Sequence, residues 1–307
     1  MDNDSPIVRA TTDLLWSLWT ELGVNGVVRR HAQVIIDPEA LLLFSPPFAA
    51  SDPRLLELVY SWCVKHQGLI APSRLSGLRK TLPPEVTGPF DAFATTLRAN
   101  TPARWTTTKG ASPWSKVPTL RRVSMDLTRP ALRMLRLRAI LGVSARADVL
   151  GALISAPSAW VTASQLTPLG YSKRAISLIL HDLHEARLID AQPEKNRITY
   201  RLAVGAELGA LAGPPGLTNP RWLDLFSLVT LAHTLIAQQV RQPTLRRVAA
   251  HKLVEQARPI AARLNLPPPP KTAGDPEAFE EALRWFTHHL EGLASGSSPA
   301  FVVSTMR

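Results

Sequence analysis

The sequence predicts a mainly α-helical protein that carries a small β-ribbon near its centre. Apolar residues recur at the spacing of an amphipathic helix in segments throughout the chain. Between residues 188 and 202 the spacing changes to two, which is typical of paired strands. An Asp or Asn followed by Pro, which favours a helix start, occurs at Asp37-Pro38, Asp52-Pro53, Asn219-Pro220 and Asp275-Pro276.

A length of 307 residues predicts two or three domains. We expect a helical N-terminal domain over residues 1–100, a basic linker over 101–128, a central unit over 129–204 that contains the β-ribbon, and a helical C-terminal domain over 218–295. The Gly- and Pro-rich residues 205–218 mark the last boundary. The N-terminal domain carries no recognisable enzyme motif, and we expect it to serve in interaction or scaffolding.

The linker lacks a clear period and mixes Trp105 and Trp114 with basic residues. Basic residues interleaved with aromatics can bind a nucleic-acid backbone and stack on unpaired bases. The alternative is a linker that wraps the surface and tucks both tryptophans into grooves. We favour this alternative for the tryptophans and a DNA-facing role for some of the arginines.

Residues 129–141 have the pattern of a basic amphipathic helix, which Gly142 ends. Arg129, Arg133 and Arg136 share one face at i, i+4 and i+7. We expect this helix to pack on the segment that follows and to display its arginines to DNA phosphates.

Residues 145–203 divide into a helix, a short helix, a longer helix and two strands. Thr162 is the expected N-cap of the short helix, which ends near Thr167-Pro168. Ser172 is the expected cap of the longer helix. A polar turn over residues 192–197 joins the two strands. The apolar residues of the longer helix share one face: Ile176, Ile179, Leu180 and Leu183.

In this order of elements, residues 145–203 resemble the winged helix-turn-helix domains of MarR-, ArsR- and GntR-type bacterial regulators. The matching features are the Thr162 cap, Leu166, the Gly170-Tyr171-Ser172 turn, the Ser-Lys-Arg start of the longer helix, the Leu180…Leu183…Leu188-Ile189 run and the Tyr200-Arg201-Leu202 strand. The sequence departs from these families at Ala186-Arg187-Leu188, where a Gly often precedes the leucine. The resemblance covers about a fifth of the chain.

The resemblance implies that the N-terminal half of the longer helix lies in the major groove of DNA. Arg174 can there bond to guanine with two hydrogen bonds, and Ser177 can reach a base edge. An ordinary solvated face is the alternative for Lys173 and Arg174. The residues expected to contact DNA are Thr162, Ser172, Lys173, Arg174, Ser177, Lys195, Asn196 and Arg197, together with Arg133 and Arg136 of the preceding helix.

The C-terminal region predicts three helices, over residues 220–240, 245–264 and 276–293. The first is apolar almost all round, so it must be buried either in a helical bundle or in a homodimer interface. We expect a homodimer, because regulators of this type usually read two half-sites.

A formal net charge of +11 indicates an anionic partner. The excess is concentrated in residues 101–150, which hold ten Lys or Arg against Asp126 and Asp148, whereas residues 1–50 are acidic. The single cysteine, Cys63, excludes an intramolecular disulfide and fits a reducing cytosol. With no visible signal peptide or membrane-spanning run, we expect a cytoplasmic, bacterial protein without a membrane partner.

The sequence contains no phosphate-binding loop, dinucleotide-binding motif, nucleophile elbow, HExxH or CxxC pattern. His181 and Glu185 are four residues apart, but a metal site needs further ligands from elsewhere. We therefore expect neither an enzyme nor a bound metal or cofactor.

These patterns predict sequence-specific binding of double-stranded DNA by a transcriptional regulator, whose outer domains supply dimerisation and contacts with an effector or partner. The rival prediction is a protein-interaction module, such as an antitoxin or a defence-system subunit, that neutralises or scaffolds a partner protein. The basic residues beside the central segment favour DNA, because an interaction module does not need them.

Overall fold

The computed structural model of the chain describes residues 5–204, 208, 211, 213–214, 216–238, 242–272 and 277–301. In these ranges the protein is mainly helical, with one small antiparallel sheet. The α-helices are α1 (Pro6–Glu21), α2 (Pro38–Phe48), α3 (Pro53–His66), α4 (Pro72–Arg79), α5 (Pro84–Asn100), α6 (Arg133–Leu141), α7 (Ala145–Ser155), α8 (Lys173–Glu185), α9 (Trp222–Ile236), α10 (Pro243–Arg263) and α11 (Ala278–Ser295). The strands are β1 (Val161–Thr162), β2 (Ile189–Glu194) and β3 (Arg197–Leu202).

Two of the predicted Asp-Pro helix starts are confirmed. The carboxylate of Asp37 accepts a hydrogen bond from the Ala40 amide at 3.0 Å, and Asp52 accepts one from Leu55 at 3.0 Å. Asn219 does not cap α9, which begins at Trp222 with no side-chain cap. The start predicted at Asp275-Pro276, like the helix end predicted at residues 239–240, lies outside the described residues.

Helices from both ends of the chain share one hydrophobic core, although the sequence predicts two separate domains. Helix α1 lies along α11, and α2 packs against both α5 and α9. The rings of Phe44 and Phe226 stack at 4.9 Å between centroids. We call this structure, α1 to α5 with α9 to α11, the helical body. The two ends join because α9 is apolar on nearly every face. The other two helices of the C-terminal region, α10 and α11, are too few to cover it.

The burial of α9 is therefore satisfied within one chain. Leu225, Phe226, Leu228 and Val229 are all buried inside the helical body. Because α9 is already buried in the monomer, it does not need a dimer interface to cover its apolar faces. The homodimer stays a prediction. None of the described helices, α9 included, is long and apolar enough to cross a membrane.

Residues 101–128 wrap the helical body as a strap. Trp105 is buried and stacks near Phe90 and Phe93, with ring centroids 6.4 Å and 6.5 Å away. Trp114 meets the edge of Phe93 at 5.3 Å. Both tryptophans fill grooves of the body, as favoured from the sequence, and Trp105 has no free face for stacking on a base.

Residues 145–203, which we call the central module, contain α7, α8 and the whole sheet, whose strand order is β1-β3-β2. Val161 of β1 pairs with Tyr200 of β3, and Ile189 of β2 pairs with Leu202. The module has its own small core, separate from that of the body, formed by Val149, Leu153, Val161, Ala163, Leu166, Ile176, Leu180, Leu183, Ile189 and Tyr200.

Two local predictions for the central module are wrong. The expected short second helix is a series of tight turns that ends in a 3-10 helix over Thr167–Leu169, because the amides of Gln165, Leu166 and Thr167 each bond to the carbonyl three residues back, not four. The hairpin turn is also shorter than residues 192–197, because the strands extend to Glu194 and Arg197 and leave only Lys195 and Asn196 between them. Strand β2 accommodates Pro193 because it lies at the edge of the sheet.

Arg187 ends α8 in a conformation that usually requires glycine. Its φ is 58°, and its amide donates to the His184 carbonyl while the Leu188 amide donates to the Leu183 carbonyl. These two bonds form a Schellman motif, in which a left-handed residue terminates the helix. Glycine usually occupies this position of the motif, so Arg187 adopts it at the cost of backbone strain.

We expect Arg187→Gly to stabilise the protein by about 0.5–1 kcal/mol, because glycine adopts this φ without a Cβ clash. Arg187→Ala is the matched control, since it removes the same charge but keeps the strain. Urea unfolding of the three proteins measures the difference. A glycine variant no more stable than the alanine variant would contradict the account of the helix end.

Buried histidines, among them His233 and His289, make the stability of the body depend on pH. Burial lowers the pKa of His233 to about 4 and that of His289 to about 4. His233 links α9 to α1 through a 3.0 Å hydrogen bond with the Thr11 hydroxyl. Because both histidines stay neutral in the folded protein while the unfolded chain protonates near pH 6.5, stability is complete above pH 6.5 and is lost as pH falls towards 4.

At pH 5 each histidine should lower the free energy of unfolding by about 2 kcal/mol relative to pH 7. Glutamine does not titrate, so the free energy of unfolding of His233→Gln should fall by roughly 2 kcal/mol less than that of the wild type when the pH is lowered from 7 to 5. Urea titrations at pH 7 and pH 5 compare it with the wild type. Equal pH dependence of the two proteins would contradict a neutral, buried His233.

Candidate nucleic-acid interface

The first turn of α8 presents exposed cations at a capped helix end. The Ser172 hydroxyl accepts a hydrogen bond from the Ala175 amide at 3.2 Å, as predicted. Lys173 and Arg174 follow it and are exposed, and Ser177 is half-buried one turn later. The unpaired amides and the dipole at a helix N-terminus favour anions, so this end is suited to phosphate groups.

The hairpin tip is the second exposed basic feature of the central module. Lys195 has a φ of 53° and, like Asn196 and Arg197, projects from the tip as an exposed residue. Arg197 pairs with Glu194 at 2.9 Å, but both side chains are half exposed or more. Such a pair contributes little stability and can release its arginine to another anion at little cost.

Thr162 does not cap a helix. It lies at the end of β1, where its amide and hydroxyl donate to the Gln165 side-chain oxygen at 2.8 Å and 2.9 Å. In return, its hydroxyl accepts from the Gln165 amide at 3.3 Å. This reciprocal arrangement fixes the turn after β1, and contact of Thr162 with DNA stays a prediction.

The prediction that Arg133 is displayed to DNA is wrong. Arg129 precedes α6 and pairs with Glu21, so the expected row of three arginines does not form. Arg133 is buried, donates to the Ser155 hydroxyl at 2.8 Å and lines a cavity of about 40 Å³. Burial lowers its pKa to about 10. Arg136 is half-buried.

Acidic residues within the chain neutralise much of the basic excess of residues 101–150. Four ion pairs account for this, namely Arg121–Glu57, Arg129–Glu21, Arg138–Glu39 and Arg146–Asp182. Three of the four carboxylates come from the first 57 residues. The opposite charges of these two regions of the sequence therefore reflect contacts inside the fold.

A buried ion network joins the central module to the helical body. Arg138 of α6 binds the Glu39 carboxylate at 2.6 Å and 2.9 Å, and the Asp148 carboxylate at 2.9 Å and 2.8 Å. Arg74 of α4 binds Asp37, and it binds Glu39 at 2.5 Å. Glu39 belongs to the body and Asp148 to the module, so Arg138 connects the two through one guanidinium.

Neutral groups complete the network. The Tyr171 hydroxyl donates to Asp148 at 2.7 Å, and Arg74 Nε donates to the Leu169 carbonyl at 2.6 Å. Burial and the Asp148 charge raise the pKa of Tyr171, so its phenol stays protonated. Burial alone would lower the pKa of Arg74, but Asp37, Glu39 and Asp148 raise it well above its usual value. Arg74 thereby fixes the Leu169 carbonyl to the body, while Tyr171 is fixed to Asp148 within the module.

Helix α4 approaches the turn before α8 at backbone distance. A Cβ added to Gly77 would lie 2.7 Å from the Gly170 carbonyl oxygen, and one added to Gly170 would lie 3.0 Å from Leu78. Gly170 also has a φ of +88°. Both glycines are therefore needed for this contact, which places α4 beside the N-terminal end of α8.

The network and the α4 contact could not be predicted from the sequence, since their residues come from five separated segments. The only local signal is Arg138, a charged residue between Leu137 and Ala139 in an otherwise half-apolar helix. His181 and Glu185 are both exposed. Across the described ranges, no three His, Cys, Asp or Glu side chains gather as metal ligands would.

Comparisons with known proteins do not identify the chain: no protein-family model matches it, and neither does any curated protein or solved structure.

Arg138→Met should destabilise the protein by about 3–5 kcal/mol, because it leaves the buried Glu39 and Asp148 carboxylates without a partner. Arg146→Met is the matched control. It also removes one guanidinium from the central region, but its pair with Asp182 is about half exposed and should contribute less than about 1 kcal/mol. Chemical denaturation compares the two. Equal losses would mean that the network does not stabilise the fold as described.

Proposed function

We propose that the central module is a winged helix-turn-helix that binds double-stranded DNA, and that the protein is a transcriptional regulator. The observation that carries the proposal is the capped N-terminus of α8, where Lys173 and Arg174 are exposed beside unpaired backbone amides. In a winged helix this end of the third helix enters the major groove. The two strands after it correspond to the wing.

The residues have separate roles in this proposal. Arg174 reads guanine through two hydrogen bonds, whereas Lys173 and the amides of the first turn bind phosphate. Lys195 and Arg197 at the hairpin tip bind the backbone or the minor groove. The helical body holds the module through the buried network, so α8 meets DNA as part of a large protein surface.

A second candidate function is protein binding by the same module, as in an antitoxin or a defence-system subunit. Two apolar side chains support it: Leu178 on α8 is 58% exposed, and Ile198 near the hairpin tip is 50% exposed. Internal ion pairs also weaken the argument that the basic residues require DNA. DNA binding remains the better supported function, since Lys173 and Arg174 occupy the helix end that favours anions.

Arg174→Ala should weaken binding to a selected DNA site by about 1–3 kcal/mol and reduce the preference for that site over a scrambled duplex. Arg284→Ala on α11 is the matched control, since it removes an exposed arginine from the helical body and should leave the preference unchanged. The site is obtained by selection from random duplexes, and both affinities are measured by fluorescence anisotropy.

Three outcomes decide between the candidate functions. If Arg174→Ala loses the preference for the selected duplex and Arg284→Ala keeps it, α8 reads bases. Equal weakening on both duplexes would mean that Arg174 contacts only phosphate. Absence of binding by the wild type at low salt would overturn the DNA proposal and favour the protein-binding function, because nonspecific DNA binding is strongest at low salt.

A further inference from the structure

A polar groove lies on the helical body between the end of α5 and the first part of the strap. Its volume is about 650 Å³. Residues between 95 and 111 line it, and Arg98 and Lys109 are among them. Thr101, Thr107 and Thr108 also line it, and the Thr101 hydroxyl already donates to the Leu97 carbonyl. None of its lining residues is acidic, so the two cations give the groove a positive charge.

Asp91, which bonds to the groove residue Thr108, is already neutralised. The Asp91 carboxylate binds Arg79 Nε at 2.7 Å and accepts a hydrogen bond from the Thr108 amide at 3.2 Å. These bonds lower the pKa of Asp91 despite partial burial, which acts in the opposite direction. Arg98 approaches the Thr107 hydroxyl at 3.2 Å, a single contact without a carboxylate. The charge of the groove is thus available to an anion.

Helix α4 connects this groove to α8. Its Gly77 touches Gly170 in the turn before α8. Lys80 follows three residues later and is exposed, so it lies within one helical turn of that contact. At the same end of α4, Arg79 donates to the Thr108 hydroxyl at 2.5 Å. Thr108 lines the groove, and Lys109 follows it in the sequence and lines the groove too. A path of exposed cations therefore runs from α8 over the end of α4 to the groove.

We propose that this path, formed by Lys80, Lys109 and Arg98 and here called the flanking track, binds the phosphate backbone of duplex DNA outside the site that α8 reads. The inference rests on the proposed function, because the track adjoins the DNA-reading end of α8. Its chemistry suits phosphate without base reading: point charges from lysine, a guanidinium, and threonine hydroxyls that donate hydrogen bonds to phosphate oxygens.

Binding along the track releases counterions from the flanking DNA. Each neutralised phosphate adds about 0.9 to the slope of log affinity against log salt concentration. A duplex that extends past the α8 site should therefore bind more tightly and with a steeper salt dependence than a duplex limited to that site. The gain should not depend on the sequence of the flank.

The test uses the full chain with Lys80→Gln, Lys109→Gln and Arg98→Gln combined, and two duplexes that contain the selected site. One duplex is limited to the site, and the other carries flanks long enough to reach the groove. The control combines Arg247→Gln, Lys252→Gln and Arg284→Gln, which removes the same number of exposed charges from α10 and α11. Circular dichroism establishes that both variants are folded.

We expect the track variant to lose affinity for the long duplex only, with a salt slope shallower by up to about 3 units, while the control keeps the wild-type slope on both duplexes. Equal effects of the track variant and the control on the long duplex would overturn the track, and so would a wild type that binds both duplexes alike. In both cases the DNA function of α8 stands, since the short duplex still binds. A wild type that binds neither duplex overturns both proposals.

Discussion

The bidentate contacts of Arg138 with Glu39 and Asp148 are the interaction on which the arrangement of this protein depends. The central module has its own small core and could move as a separate unit. Arg138 prevents this, because its guanidinium is shared between a carboxylate of the body and one of the module, both excluded from water. Buried charges tolerate little displacement, since any loss of contact leaves an ion without a partner. Arg74 and Tyr171 extend the same constraint to the turn that precedes α8.

Charge has two distinct uses in this chain. The excess of arginine in residues 101–150 indicates a nucleic-acid partner when the sequence is considered alone, yet several of these arginines pair with Glu21, Glu39 and Glu57 and hold the strap and α6 on the body. The exposed cations that support the DNA proposal lie at the start of α8, at the hairpin tip, and along α4 and the groove. Their positions support the DNA proposal more directly than the net charge does.

The parts of the fold that the sequence predicts well are those set by local rules. Ser172, Asp37 and Asp52 cap helices where expected, because an N-cap depends only on the next three residues. The errors have causes beyond the local pattern. Arg133 fits the amphipathic period of its helix, but it is buried. The single core of the helical body depends on contacts between the two ends of the chain, which no local pattern reports. For the candidate site, exposure of Lys173 and Arg174 followed from the helix period, whereas the role of α4 could not be derived without the fold.

The buried network should hold the central module in one position on the body, and a distance measured across the junction tests this. Nitroxide labels on Glu85→Cys of α5 and Glu185→Cys of α8, both exposed positions, report the distance across the junction by pulsed electron resonance, and Cys63 is buried. We predict one narrow distance distribution in the otherwise wild-type protein and a broad one when Arg138→Met is added. A broad or multiple distribution with Arg138 in place would contradict it.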